Sequence, residues 1–343
     1  MSEKTKITKS LLSKKVLFFF LKALSGILVL AIILVAFLSF KPIEKVNLRN
    51  INYLSFQESK AEFENVVSQR DDESINPLCK SKLLEHTQKV EKVIILYHGF
   101  TNCPAQFSLL GQELFNEGYN VYIPRIPLHG LKDRLNEDFA NLKMTDLTTS
   151  IAESVEIATG LGEKITIFGI SGGGVMAAFG GYFYPQIQNV FITAPLFTPG
   201  SFDVDIISPL INTIDTAPNF MRWWDDDTKE KVEGPSYAYP RYSTKAAGAF
   251  IRLTFELKNA LKQKLVEQNG KRLVLLTKED DLAVNNKTSR YMLDKWVTHT
   301  DTTVIAYQFS SSKVPIHDFI DPNQTKANTG YVYPIIKSLI DKT

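Results

Sequence analysis

From about position 91 the chain alternates between two kinds of run. Short stretches dense in branched and aromatic residues, at 92–97, 120–126, 164–170, 189–194, 272–277 and 302–309, have the length and continuous apolarity of strands covered on both faces. Between them, 104–117, 145–161, 287–298 and a closing segment near 331–340 carry apolar residues at helical spacing. That order predicts an α/β domain over 91–343, built on a mostly parallel, doubly wound sheet with right-handed crossovers. More than 70 residues separate the strand ending at 194 from the one starting at 272. One crossover helix needs far fewer, so a helical cap insertion is expected at about 196–270, over the carboxyl edge of the sheet.

The first 90 residues follow other rules. Positions 23–40 form an 18-residue run without charge, extended upstream by 16–21 across Lys22, and such a length crosses the ~30 Å hydrocarbon core of a bilayer. Residues 16–40 therefore read as a transmembrane helix, with 1–15 as a basic tail and 41–90 as a polar stalk and approach segment. Lys4, Lys6, Lys9, Lys14 and Lys15 precede the helix, which keeps the N-terminus cytoplasmic and sends the folded domain to the periplasmic or extracellular side. A cleaved signal peptide is the competing reading, but the apolar stretch is long and Phe37-Leu38-Ser39-Phe40-Lys41-Pro42 lacks the small-x-small cleavage pattern.

Composition narrows the function classes. Net charge is only +2, and six lysines against one glutamate fall in the first 22 residues. The remainder is net acidic, so nothing points to nucleic acid as a partner. No Cys/His cluster suggests a metal site, and no cofactor is called for. Cys79 and Cys103 are the only cysteines. On the oxidising side of a membrane they are expected to pair, closing a loop worth about 3 kcal/mol on the chain-entropy estimate, with two unrelated buried thiols as the alternative.

Gly169-Ile170-Ser171-Gly172-Gly173 follows the 165–170 strand and opens onto a small-residue helix candidate at 172–181. Gly-x-Ser-x-Gly between a strand and a helix is the pattern of a nucleophile elbow, a sharp turn that exposes the serine hydroxyl. Val93-Ile94-Ile95-Leu96-Tyr97 ends in His98-Gly99-Phe100, a strand-end loop suited to supply an oxyanion-binding amide. With these in view, 96–107, 124–130 and 165–173 resemble the monoacylglycerol-lipase and carboxylesterase branch of the α/β-hydrolase superfamily, and the likeness covers most of the chain after about residue 90.

The resemblance implies a serine hydrolase acting on an ester, a small amphiphilic one if the anchor holds the enzyme at a membrane. Ser171 would need a base, and that base an acid to fix its tautomer. In the chain order serine, acid, histidine, His299 and His317 qualify. His317 follows the 302–309 strand by a short polar loop and falls at the carboxyl edge, the position of the family's base, whereas His299 precedes that strand. The loop Thr277 to Asn285 holds Glu279, Asp280 and Asp281. The family pattern of an aspartate, two residues, a branched apolar residue and then often asparagine matches Asp281, Val284 and Asn285, so Asp281 is the expected acid. The amides of Phe100 and Gly172 are the expected oxyanion hole. His98 and His129 read as structural; the latter sits in Pro127-Leu128-His129-Gly130, which resembles the family's Pro-Gly-His-Gly turn with leucine in place of glycine. Trp223 and Trp224 in the cap are candidate substrate contacts. The same triad also serves thioesterases, peptidases and acyltransferases, and a tethered binding protein that had lost activity is the remaining alternative.

Overall fold

The computed structural model describes residues 3–39, 48–200, 202–207, 211, 217–266, 270–297 and 302–342. Seven strands form one sheet in the order β1-β3-β2-β4-β5-β8-β9: β1 (Lys82–Leu84), β2 (Val90–Tyr97), β3 (Asn120–Ile123), β4 (Gly162–Ile170), β5 (Ile187–Thr193), β8 (Arg272–Lys278) and β9 (Thr303–Phe309). All neighbours are parallel except β1, which pairs antiparallel with β3 at the edge. This is the mostly parallel sheet that the strand-helix alternation predicts. The central strands carry no alternation because helices cover both faces, and Val93 to Tyr97 are all fully buried.

From β2 onward the chain's direction across the sheet reverses once. From β2 the chain moves outward to β3, then returns past β2 to β4 and proceeds through β5, β8 and β9 to the far edge. The carboxyl ends of β2 and β4 therefore flank a topological switch point, where open α/β sheets leave a crevice. Tyr97 pairs with Gly169 at that end, so the loop leaving β2 lies beside the turn leaving β4. The helices α3 (Ser108–Asn116), α4 (Met144–Leu161), α5 (Gly172–Phe183), α7 (Thr244–Gln263), α8 (Asn286–Val297) and α9 (Thr329–Asp341) supply the crossovers and layers.

Two expectations change. The cap is shorter and less helical: 244–263, inside the predicted insertion, is α7, the crossover between β5 and β8 that packs on α4 and α5. Among the described residues, what remains above the sheet is a four-residue helix, α6 (Val204–Ile207), a single 3₁₀ turn at Lys229–Lys231 and a two-stranded ribbon of β6 (Met221–Trp223) and β7 (Arg241–Ser243).

The expected stalk, in turn, is built onto the body from residue 49 onward. Here α2 (Phe56–Arg70) starts with a capping box, in which Ser55 accepts from the Glu58 amide and the Glu58 side chain accepts from the Ser55 amide. Just before it, Asn52 donates to Glu156 through Nδ2 at 2.6 Å and Leu54 donates to Thr159 at 2.9 Å. Past its far end, Arg125 Nε pairs with buried Asp71 at 2.6 Å. Cys79 and Cys103 form the expected disulfide. At the N-terminus α1 (Glu3–Ser39) contains an exposed apolar span, Val16–Leu34, with mean hydropathy 2.7.

Candidate active site

Ser171 lies between β4 and α5 with φ 56° and ψ −116°, a conformation that non-glycine residues rarely adopt. Its neighbours are glycines for a steric reason. A Cβ at 169 would lie 1.9 Å from the Gly173 carbonyl oxygen, and one at 173 would lie 2.1 Å from that of Tyr97. The strained residue is held from both sides: its amide donates to Thr193 and its carbonyl accepts from Leu196, each at 2.9 Å.

Gly172 opens α5, where the helix amides point outward and the dipole is positive. A Cβ at 172 would lie 3.1 Å from the Phe100 nitrogen, so the Phe100 and Gly172 amides border the same small space next to Ser171. Gln106 braces this loop by accepting the Gly99 amide at 2.7 Å. His98 braces it too. Its Nε2 accepts the Ile126 amide at 3.1 Å while Nδ1 donates to the Gly99 carbonyl at 3.0 Å. Burial first, and then the neighbouring His129, hold its pKa well below the ordinary imidazole value, so it stays neutral and structural. Burial likewise lowers His129 to about 3. Leu128 adopts φ 62°, a left-handed backbone that glycine takes freely and leucine rarely.

The far end of the sheet delivers the other two side chains. β8 and β9 run in register to Lys278 and Phe309, and the Glu279 amide donates to the Phe309 carbonyl at 2.9 Å, which sets the loops after both strands side by side. There His317 Nδ1 and Asp281 Oδ2 are 2.8 Å apart, with the carboxylate wholly buried. The acids left open by the sequence are thereby separated: Glu279 accepts the Ser311 amide at 3.1 Å, and Asp280 turns the loop at φ 47°. Burial pushes the Asp281 carboxyl up, but its hydrogen bond to His317, the imidazole's charge and the Ala283 amide outweigh this and leave it below its usual value. His317 Nε2 is buried and has no hydrogen-bond partner. His299 lies outside the described residues.

Ser171 and His317 line one cavity of about 260 Å³. Its apolar wall includes Phe100, Leu196, Trp224 and Val284, and its polar side holds Asn102, Arg134, Glu233, Asp318 and Gln324. Trp224 donates from Nε1 to Thr101 Oγ1 at 3.0 Å and packs on Tyr242. Trp223, the other expected contact, is not on this wall. It belongs to β6, where successive side chains point to opposite faces, and it carries the Arg241 guanidinium 5.7 Å from its ring centre.

Sequence reasoning missed the group that joins the polar side to the residues behind it: Asn102 and Asp318 on the wall, Tyr237 and Asp321 beneath, linked by hydrogen bonds of 2.8–3.3 Å. The visible signal was two aspartates within four residues of the candidate base.

Residues 88–308 match the family described as serine aminopeptidase, S33. A carboxylesterase of Bacillus subtilis is 30% identical over 107 residues, 31% of this chain, and the match spans only 42% of that relative. Solved structures share the fold at low identity. A monoglyceride lipase from Saccharomyces cerevisiae has TM-score 0.56 and 16% identity, over 77% of this chain and 90% of its own. The monoacylglycerol lipase of Paleococcus ferrophilus has TM-score 0.53 and 18% identity, over 77% and 98%. A structure described under the metagenome-derived lipolytic enzymes LipS and LipT has TM-score 0.56 and 15% identity, over 78% and 100%.

Proposed function

Because the chain belongs to the serine aminopeptidase S33 family of α/β-hydrolases, we propose that it hydrolyses carboxylic esters through an acyl-enzyme on Ser171. The observation that carries this reading is the strained serine sharing a cavity with a histidine whose Nδ1 is held at 2.8 Å by a buried aspartate and whose Nε2 is free. Held in that tautomer, His317 takes the Ser171 proton as the hydroxyl attacks the ester carbonyl, and Asp281 stabilises the resulting imidazolium. The Phe100 and Gly172 amides receive the oxyanion. His317 then protonates the departing alcohol, and water attacks the acyl-serine by the same route in reverse.

The likeness to a carboxylesterase favours an ester over a peptide. The family description keeps peptide cleavage as a second reading, and thioester cleavage or acyl transfer to an alcohol would use the same groups. A cavity of about 260 Å³ lies just under the ~300–1,000 Å³ of ordinary ligand pockets, which favours compact acyl groups. The apolar span 16–34 supports a membrane anchor, with the hydrolase on the far side from the lysine-rich tail.

One set of measurements tests this. A fluorophosphonate probe should label the wild type, and Ser171→Ala should lose both labelling and p-nitrophenyl ester turnover. Asp281→Asn should lower kcat by about 10⁴-fold, since the wrong imidazole tautomer is then favoured. In a series from acetate to palmitate, turnover should peak among the short chains. Labelling that survives in Ser171→Ala removes the nucleophile, and release of amines but not alcohols replaces the esterase with a peptidase.

A further inference from the structure

The polar side of the cavity is the outer part of a largely buried network that acyl transfer by the triad alone does not require. Asp321 is fully buried, and Asn102 and Tyr237 are nearly so. The Tyr237 hydroxyl lies 2.8 and 2.9 Å from the two Asp321 carboxylate oxygens. Asn102 Nδ2 donates to Asp318 Oδ2 at 3.0 Å and to Asp321 Oδ2 at 3.3 Å. Gln324 Nε2 completes Asp318 at 2.8 Å, and the Asn323 amide and side chain donate to Asp321 Oδ1 at 3.0 and 3.3 Å. Burial and the charge of Asp318 raise Asp321, and the neutral donors Asn323, Tyr237 and Asn102 work against them. A buried carboxylate that shares one amide with a second, half-buried carboxylate costs stability.

What that cost supports is visible in where the partners sit. Asn102 is two residues past Phe100, in the turn whose 102 amide donates to the Gly99 carbonyl at 3.0 Å. Asp318 is the residue after His317. Tyr237 belongs to the cap, and on the same cap segment the Tyr239 amide donates to the Thr101 carbonyl at 2.8 Å. Three separate arms of the site meet at one acid pair.

We propose that Asp318 and Asp321 are positioning residues: through Asn102 they set the Phe100 amide against the elbow, and through their own loop they set His317 beside Ser171, while Tyr237 latches the cap to both. This rests on the roles of Ser171, His317 and the Phe100 amide proposed above. Displacing a donor or base by about 1 Å costs on the order of 10²-fold in rate, so loosening the clamp acts on turnover more than on substrate capture.

The test measures kcat, KM and fluorophosphonate labelling for the full chain and its variants, with thermal melts as a check on folding. Asp321→Ala and Asn102→Ala should each lower kcat about 10- to 100-fold with KM within about threefold. Asp321→Asn keeps an acceptor for Tyr237 and should recover most of that loss. The double variant Asp321→Ala/Asn102→Ala should be no slower than the worse single, because both remove the same link. Where one variant fails to fold, the other carries the test. Variants with wild-type kcat overturn the proposal, as do losses that match the unfolded fraction or multiply in the double variant. A wild type that the probe never labels fails the proposed function itself, which separates the two outcomes.

Discussion

The charges buried around the site give the molecule a pH dependence with two opposite signs. Asp281 titrates below its ordinary value in the fold, so its contribution to stability is present above the unfolded carboxylate value of about 3.9 and is lost as pH falls through the depressed one. Asp321 is raised to about 6 by burial and by Asp318. The folded state holds that proton more tightly, so this contribution is full below about pH 4 and disappears as pH rises through about 6. The wild-type melting temperature should therefore carry a downward component between about pH 4 and 6 that Asp321→Asn removes, measured by calorimetry in steps of half a pH unit; identical profiles would mean that Asp321 is not protonated in the fold. These side chains differ in how far the sequence exposes them. Ser171 is legible because its constraint is local: glycines at 169 and 173 clear one turn. His317 is legible from its place after a strand. Asp281 needed the family pattern, since Glu279 and Asp280 offer the same charge one and two residues away. Asp321 acquires its meaning only from Asn102, 219 positions earlier, and Tyr237, 84 earlier, and no local pattern records such a meeting.

Secondary elements were readable in proportion to how completely they are buried. β2, β4, β5 and β8 are covered on both faces, so their apolar runs are continuous and the predicted ends fall within about two residues of the observed ones. The helix α2 shows the opposite limit. Its sequence, FQESKAEFENVVSQR, buries only Ser59 and Val66, too thin a stripe to stand out, although Ser55 and Glu58 three residues apart are a sequence-level start signal. What fixes α2 is contact with α4 at a place where α4 has no side chain: a Cβ at Gly160 would lie 2.3 Å from the Ser55 carbonyl oxygen. Ser55→Ala should cost about 1 kcal/mol through the lost cap. Gly160→Ala should cost clearly more, because a backbone carbonyl cannot swing aside as a side chain can. Chemical denaturation of the two variants compares them directly, and a Gly160→Ala protein as stable as Ser55→Ala would show that α2 packs less tightly than the geometry requires.

The attachment of α2 also decides where the molecule can be divided and which way its cavity faces. Residues 49–54 bond to Glu156 and Thr159 near the carboxyl end of α4, and β4 begins there. The nine residues of β4 then climb about 30 Å at ~3.3 Å each to Ser171 at the other edge of the sheet. A chain held at a bilayer by the 16–34 span would thus be tethered from the lower part of the body, with its cavity opening on the opposite side. Removing residues 1–47 should leave a protein that stays in solution without detergent and turns over water-soluble esters with unchanged kcat, because no described contact of the body comes from that region. Removing 1–71 should not. That cut strips α2 from α4, leaves the Arg125 guanidinium without Asp71 and exposes the α4 surface on which α2 packs, a loss of several kcal/mol against a total stability of about 5–15 kcal/mol. Paired expression of the two truncations, followed by melting curves and ester assays, checks both halves of the argument: a stable, active 72–343 fragment would return α2 to the role of a stalk. The full chain in vesicles should hydrolyse a dissolved ester as fast as the 48–343 protein, whereas a strong preference for esters embedded in its own bilayer would mean that the body lies over, with its mouth against the membrane.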